Sequence, residues 1–557
     1  MTALPPTERR HLGLLMAYAF VLFACGLWWG LPFGAAAAAP PNNSFTWTGD
    51  ELHPSTWGQA TNPRALNAWH TRYPPMHFAL LQAGSWPLRA AVKHGLIHLD
   101  RPGLLLALIL YSRLVSLAMA MATLWMFYRL AREVLDEIGS LWSVFVLASV
   151  MPYVYYAKMA NLEAPYLMWF TLSLWMFVRI LSRHQLRDYL LFGAAAAAAV
   201  CTKDQAYGLY GLAPIPMVYS LWKREYGGKA RDLWRAVLDR RLLLTALVAG
   251  LGFVVFQDLI FNPHRFTVHL RLLRGPMSEN YQDYAGTPLG QWQLFSNIAG
   301  LLTSALNPAL LATCLVGLVW TFLRLREAEV WKSVRYLCST SIFLVSYYVT
   351  FLVLILFCYD RYVLPMTIVL ALYGGAALAA LVRPWGRWQT ARRALAWGIA
   401  AYSMLYALSV DFRLLADTRY EVERWVAEHA REPGSVIAVG RHHHIARFRW
   451  VRWERVLAGN AEFLRREQPE IVTVNLTDIR HPEESDFVSR MGDGSLGYRL
   501  ALQTRGKPLL DLILENDNSS QRFINPEMAI FERVAPRAVP AGPQVAEPPA
   551  EAASPED

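Results

Sequence analysis

The chain has 557 residues, 54% of them hydrophobic and only 17% charged, with 21 Trp and a mean hydropathy of +0.22. A soluble protein of this length carries more charge and lacks long uncharged runs, whereas many runs here approach the ~20 residues a bilayer core requires. The formal charge of +10 does not call for nucleic acid, because Lys and Arg fall in short clusters between apolar runs, the pattern that sets membrane topology.

Arg9 and Arg10 precede an apolar run from about Leu12 to Phe33, which places the N-terminus in the cytoplasm and is long enough to remain as an anchor. A long outer loop over residues 34–101 follows. Within it, Met76-His77-Phe78-Ala79-Leu80-Leu81 and Trp86-Pro87-Leu88 suggest helices lying along the membrane surface. Spans are then expected at about Pro102–Leu130, Leu141–Ala157, Ala164–Ile180, Tyr189–Thr202, Ala206–Trp222 and Leu242–Ile260. A second outer loop covers 261–291, with His264, Arg265, Arg271 and Arg274. Spans at about Ala305–Leu323, Tyr336–Phe357, Tyr362–Val382 and Ala394–Val410 complete the set.

Alternate connections are short and rich in Arg and Lys, densest from Lys223 to Arg241, as the positive-inside rule predicts. The expected architecture is a polytopic α-helical membrane protein of about eleven spans, residues 1–410, in the bacterial inner membrane. Residues 411–536 read as a small α/β extracytoplasmic domain, with a helix at Tyr420–His429 and strands at Ser435–Val439, Ile471–Val474 and Met528–Phe531. The Pro/Ala/Glu-rich tail 537–557 reads as disordered.

The five cysteines (Cys25, Cys201, Cys314, Cys338, Cys358) lie in or beside apolar runs, so neither a disulfide framework nor a CxxC metal site is indicated. The consecutive His442-His443-His444 cannot converge on one ion in a regular element. The sequons at Asn42/Asn43, Asn475 and Asn518 are short matches that matter only in a secretory host.

The chemistry concentrates on the outer face. Thr48-Gly49-Asp50-Glu51-Leu52-His53-Pro54 carries two adjacent carboxylates just beyond the first span, and Tyr73-Pro74-Pro75 follows. An acidic pair on a loop is usually solvated surface; the alternative is a general base or a metal-binding carboxylate at the bilayer surface. Neighbouring residues cannot share one geometry, so Asp50 and Glu51 must differ in role. Glu163 arrives at the same face at the start of a span, where the helix dipole alone also favours an acid. Lys203, beside Asp204, lies between two apolar segments, while Arg361 and Arg113 interrupt apolar stretches. Charges in such places are expensive and mark function by default, and Arg suits phosphate.

Taken in order, Gly49-Asp50-Glu51, Tyr73-Pro74-Pro75, Tyr111-Ser112-Arg113-Leu114-Val115-Ser116, Asn161-Leu162-Glu163-Ala164-Pro165, Cys201-Thr202-Lys203 and Arg361-Tyr362-Val363-Leu364-Pro365 resemble the GT-C glycosyltransferases. Within them the chain resembles the bacterial branch similar to dolichyl-phosphate-mannose protein mannosyltransferases and lipid A aminoarabinose transferases. The resemblance covers roughly residues 12 to 385. At the second acidic position the relatives more often have Asp, where this chain has Glu163.

The resemblance implies an inverting transfer of a sugar from a polyprenyl-phosphate donor to a hydroxyl of a glycan, lipid or protein acceptor. Asp50 would be the base, accompanied by Glu51 and Glu163, and Lys203, Arg361, Arg113, Tyr73 and His53 would bind the donor phosphate or substrate. It fixes no cofactor, and a divalent metal at Asp50 and Glu163 is left open. Membrane lipids are the other partner expected, and nucleic acid is not. Two readings from other classes compete: a transporter or lipid flippase, which would place charges at the midplane in inverted repeats, and a non-catalytic envelope-assembly protein.

Overall fold

The computed structural model describes residues 5–31, 46–62, 73–275, 282–327, 332–384, 388–430, 435–440, 444–447, 452–454, 460–479 and 481–534. The first sequon, His442, His443 and the 537–557 tail lie outside them.

Apolar composition and end signals together explain the helices. Arg101–Val134 opens on Asp100, whose carboxylate accepts the Gly103 N–H at 2.8 Å, with Pro102 in the first turn. Leu364–Val382 likewise has a proline, Pro365, in its first turn, but starts at Val363 without a side-chain cap. Among the described residues, five helices are long and apolar enough to cross a membrane: Arg101–Val134, Glu163–Arg183, Ser333–Ile355, Leu364–Val382 and Gln389–His429. The number rises to seven if each of two bent pairs is one span.

The expected count of about eleven spans is therefore not matched one for one. The expected Leu141–Ala157 span is Glu137–Ala148 joined at 70° to Met151–Ala157, and Pro288–Leu306 turns by 111° into Pro308–Leu323. The second bend has a local cause. Asn307 takes φ +60°, its side chain caps the Leu310 N–H at 3.0 Å, and Pro308 starts a new helix. Leu186–Thr202 and Arg240–Phe256, at two further expected spans, are helices of 17 residues each.

Small residues let these helices approach closely. A Cβ on Gly375 would stand 2.0 Å from the Ser143 hydroxyl, and one on Gly317 would stand 2.1 Å from the Tyr373 carbonyl. Both contacts seat Leu364–Val382 in the centre of the helical layer.

Beyond residue 417 the chain forms a five-stranded sheet of order β2-β1-β3-β5-β4: β1 Val436–Val439, β2 Arg452–Glu454, β3 Ile471–Asn475, β4 Tyr498–Thr504 and β5 Met528–Arg533. β1 pairs parallel with β2 and β3; β5 runs antiparallel to β3 and β4. Alternation divides the core by face. Val436, Ala438 and Ile530 pack with Val422 and Val426 of Thr418–His429, whereas Ile437, Val439 and Phe531 pack with Phe487 and Met491 of Pro482–Gly492.

This part of the chain is bound to the helices at two places. The Trp29 indole donates to Asp417 at 3.0 Å, while the Arg419 guanidinium, bidentate on Asp417, lies over the Trp47 ring at 4.3 Å. A strap over 507–523 crosses the helix ends, where Ser304 donates to the Leu514 carbonyl at 2.9 Å and Asp360 N–H to the Asn518 carbonyl at 3.0 Å.

Candidate active site

A cavity of about 410 Å³ opens between the helical layer and the C-terminal part of the chain. Asp50, Tyr73, Asn161, Lys203, Arg361 and His444 are among its lining residues, with Trp29, Trp47, Tyr155, Tyr156, Phe357 and Phe523 forming aromatic walls.

The acidic loop is anchored by its second carboxylate and presents its first. Glu51 lies in a buried, bidentate ion pair with Arg113 (2.6 and 2.8 Å) and accepts the Ala160 N–H at 2.9 Å. Arg113 spends its remaining arm on the carbonyls of Leu27 and Trp29, at 2.6 and 2.8 Å. Burial opposes the charge on Glu51, but Arg113 outweighs it and holds the carboxyl below its ordinary range. The Leu52 N–H completes the anchor on the Ala160 carbonyl at 2.7 Å. With Glu51 turned inward, the backbone sends Asp50 the other way: its side chain is 46% exposed, against 4% for Glu51.

Arg361 comes from the break between two helices. Ser333–Ile355 contains a π-helical stretch at Tyr348–Leu352 and ends at Leu356 with φ +52°, after which residues 356–363 loop back before Pro365. Asp360 fixes this loop. Its buried carboxylate accepts the Ser520 N–H at 2.9 Å and the hydroxyls of Ser519, Ser520 and Tyr156 at 3.1, 2.5 and 3.3 Å. Arg361 pairs with Asp50, and its Nε lies 3.8 Å from Glu163 Oε1. Burial works against the guanidinium charge, but Asp50, Tyr73 and Glu163 outweigh it and hold the group protonated.

Lys203 is the residue at which Leu186–Thr202 ends, and its ammonium pairs with Glu163 in the first turn of Glu163–Arg183. Burial lowers its pKa, with Glu163 opposing. The result is a row of two acids and two cations, Asp50–Arg361–Glu163–Lys203, whose formal charges cancel. Burial and the nearby Asp50 charge raise the Tyr73 hydroxyl, keeping it a hydrogen-bond donor.

The expected residues thus divide. Asp50, Lys203, Arg361 and Tyr73 come together at the cavity, and Glu163 stands behind them, facing Lys203 and Arg361 without lining it. Arg113 and Glu51 form an internal strut and are absent from its walls. His53 caps Pro54–Ala60, its Nδ1 2.6 Å from the Ser55 hydroxyl, and does not line the cavity either. Among the described residues no group of three or more His, Cys, Asp or Glu side chains is disposed to hold a metal ion.

His444, Ser520 and Phe523 reach the cavity from the C-terminal part of the chain and are additions to the expected set. His444 Nδ1 contacts both Asp478 oxygens, at 2.7 and 3.0 Å, and its ring stacks on Phe523 with centroids 4.3 Å apart. The one sequence signal was the histidine run itself.

The family model described as dolichyl-phosphate-mannose-protein mannosyltransferase matches residues 108–232, the same family to which the motifs pointed. Among solved structures, ArnT from Cupriavidus metallidurans bound to undecaprenyl phosphate is 11% identical, with 94% of this chain and 98% of that one covered at a TM-score of 0.46. The Archaeoglobus fulgidus oligosaccharyltransferase AglB, in complex with an inhibitory peptide and a dolichol-phosphate, is 12% identical over 84% of this chain and 70% of its own, at 0.44. The S. cerevisiae protein O-mannosyltransferase Pmt1-Pmt2 complex bound to the sugar donor is 15% identical over 48% and 35%, at 0.35. No curated protein matches in sequence.

Proposed function

We propose that this chain is a GT-C-type membrane glycosyltransferase that moves a sugar from a polyprenyl-phosphate donor to an acceptor hydroxyl, with inversion. One observation carries the reading: Lys203 and Arg361, from separate loops, meet at one cavity wall with the exposed Asp50 between them and solvent. Two oriented cations in a low-dielectric site suit a leaving lipid phosphate, and the adjacent carboxylate suits a hydroxyl nucleophile.

In the proposed reaction the donor phosphate takes Arg361 away from Asp50. A carboxylate paired with a guanidinium is a weak base, so this exchange releases Asp50 when the donor is in place. Asp50 then takes the acceptor proton as the acceptor oxygen bonds to the anomeric carbon. The bond from that carbon to the phosphate oxygen breaks on the opposite face, and its electron pair leaves with the lipid phosphate between Lys203 and Arg361. Glu163 holds Lys203 in place throughout. No step is routed through a metal, since Asp50 and Glu163 each already face a cation.

The same reading puts the cavity on the extracytoplasmic face, with the helical part as the catalytic unit and residues 411–536 as an extracytoplasmic unit closing it. The test is single-turnover transfer from labelled polyprenyl-phosphate sugar to envelope acceptors by purified protein, with Asp50→Asn as the control. Covalent transfer by the wild type and none by Asp50→Asn is expected. Uptake of the labelled lipid by spheroplasts without covalent transfer would instead establish a carrier.

A further inference from the structure

Asn161 lines the cavity but has no part in the proposed reaction. It is 1% exposed. Its Oδ1 accepts the Glu163 N–H at 3.2 Å, an Asx-type turn that starts Glu163–Arg183. That contact orients the amide, because the oxygen must face the N–H donor. The buried Nδ2 is left with no hydrogen-bond partner among the described residues. Arg361 Nε, at the same cavity, likewise has no hydrogen-bond partner among them, although Glu163 Oε1 stands 3.8 Å away. Unpaired buried donors are costly and rare, and at a cavity wall they mark the place of an acceptor atom from a ligand.

We propose that Asn161 is a substrate-binding residue whose Nδ2 donates to an oxygen of the lipid-linked sugar donor. The inference rests on the glycosyltransferase reading. The oxygen belongs either to the phosphate or to the sugar, and both present the same acceptor chemistry.

The experiment measures binding by native mass spectrometry in detergent, with undecaprenyl phosphate and a set of undecaprenyl-phosphate hexoses and pentoses as probes. Asn161→Ser removes Nδ2 without adding charge and keeps an oxygen for the Glu163 N–H. Asn161→Asp is isosteric and keeps the same turn but adds a charge, so it serves as the second variant and the reading is taken from Asn161→Ser. Thermal unfolding close to wild type is expected for both, with affinity reduced about tenfold.

Equal loss for bare and sugar-bearing lipid assigns the contact to the phosphate. Loss confined to sugar-bearing lipid assigns it to the sugar. Wild-type affinity for every probe in both variants overturns the proposal and leaves the enzyme reading intact. A wild-type protein that binds none of these lipids removes the enzyme reading, and this inference with it.

Discussion

Glu51 and Arg113 meet inside the protein through two hydrogen bonds, at 2.6 and 2.8 Å, with side chains 4% and 0% exposed. Breaking such a pair from one side strands a buried charge. Glu51→Gln is expected to cost about 3–5 kcal/mol of stability, seen as a lower unfolding temperature. The pair also sets an acid limit. The folded pKa of Glu51 is depressed, so its stabilisation is present above the unfolded value of 4.5 and is lost as pH falls through the folded one. Wild-type unfolding should steepen below about pH 4.5, and Glu51→Gln should flatten that slope. An equally acid-labile Glu51→Gln would show that the strut is not the cause.

Asp50 and the donor phosphate compete for Arg361 in the proposed reaction. Asp50→Asn should therefore abolish transfer while binding undecaprenyl phosphate at least as tightly as the wild type. Arg361→Ala should lose about tenfold or more in that affinity, and Arg361→Lys should recover only part, since a point charge does not reproduce the guanidinium fork. Weaker lipid binding by Asp50→Asn would mean that the carboxylate helps to hold the donor and does not compete with it.

Asp360 joins the loop of Arg361 to the 507–523 strap through the Ser519 and Ser520 contacts, and to Met151–Ala157 through Tyr156. Asp360→Ala removes four hydrogen bonds worth ~1 kcal/mol each, about 4 kcal/mol together. Limited proteolysis should then cut near Ser520, and transfer should fall although Asp360 touches no substrate. Unchanged protection of Ser520 would separate the strap from the loop.

The extracytoplasmic placement of the cavity is checked by fusion. Alkaline phosphatase attached after Val534 should be active and attached near Gly228 inactive, because the Lys223–Arg241 cluster is cytoplasmic under the positive-inside rule. The opposite pattern would place the cavity on the cytoplasmic side.

The sequence made some of this site readable and hid the rest for identifiable reasons. Lys203 and Arg361 stood out because a charge between apolar runs has few structural excuses, and the cavity gathers both. Asp50 and Glu51 were chemically equivalent on paper; only Arg113, 62 positions away, decides which of them is buried. Arg113 drew attention by the same reasoning as Arg361, yet its partners are Glu51 and two backbone carbonyls. Hydropathy does not register the 70° and 111° bends inside two of the apolar stretches, although Asn307-Pro308 carried a local signal for the second. In the sheet, β1, β3 and β5 were visible as buried apolar runs. β2 is three residues long, and β4 is an edge strand with most of its side chains turned to solvent. His444 and Phe523 enter the cavity through tertiary contacts that leave no local pattern.

The cavity draws its wall from Trp29, Asp50, Lys203, Arg361, His444 and Phe523, so its assembly follows the order of translation. A ribosome feeding this chain into a membrane completes every long apolar helix before it makes His444 or Phe523. The cations and carboxylates can be in place while one side of the chamber is still missing. Under the proposed reaction, competence then arrives as a late event of biosynthesis, and a nascent chain already threaded through the bilayer has no enclosed space in which to act on the lipids around it.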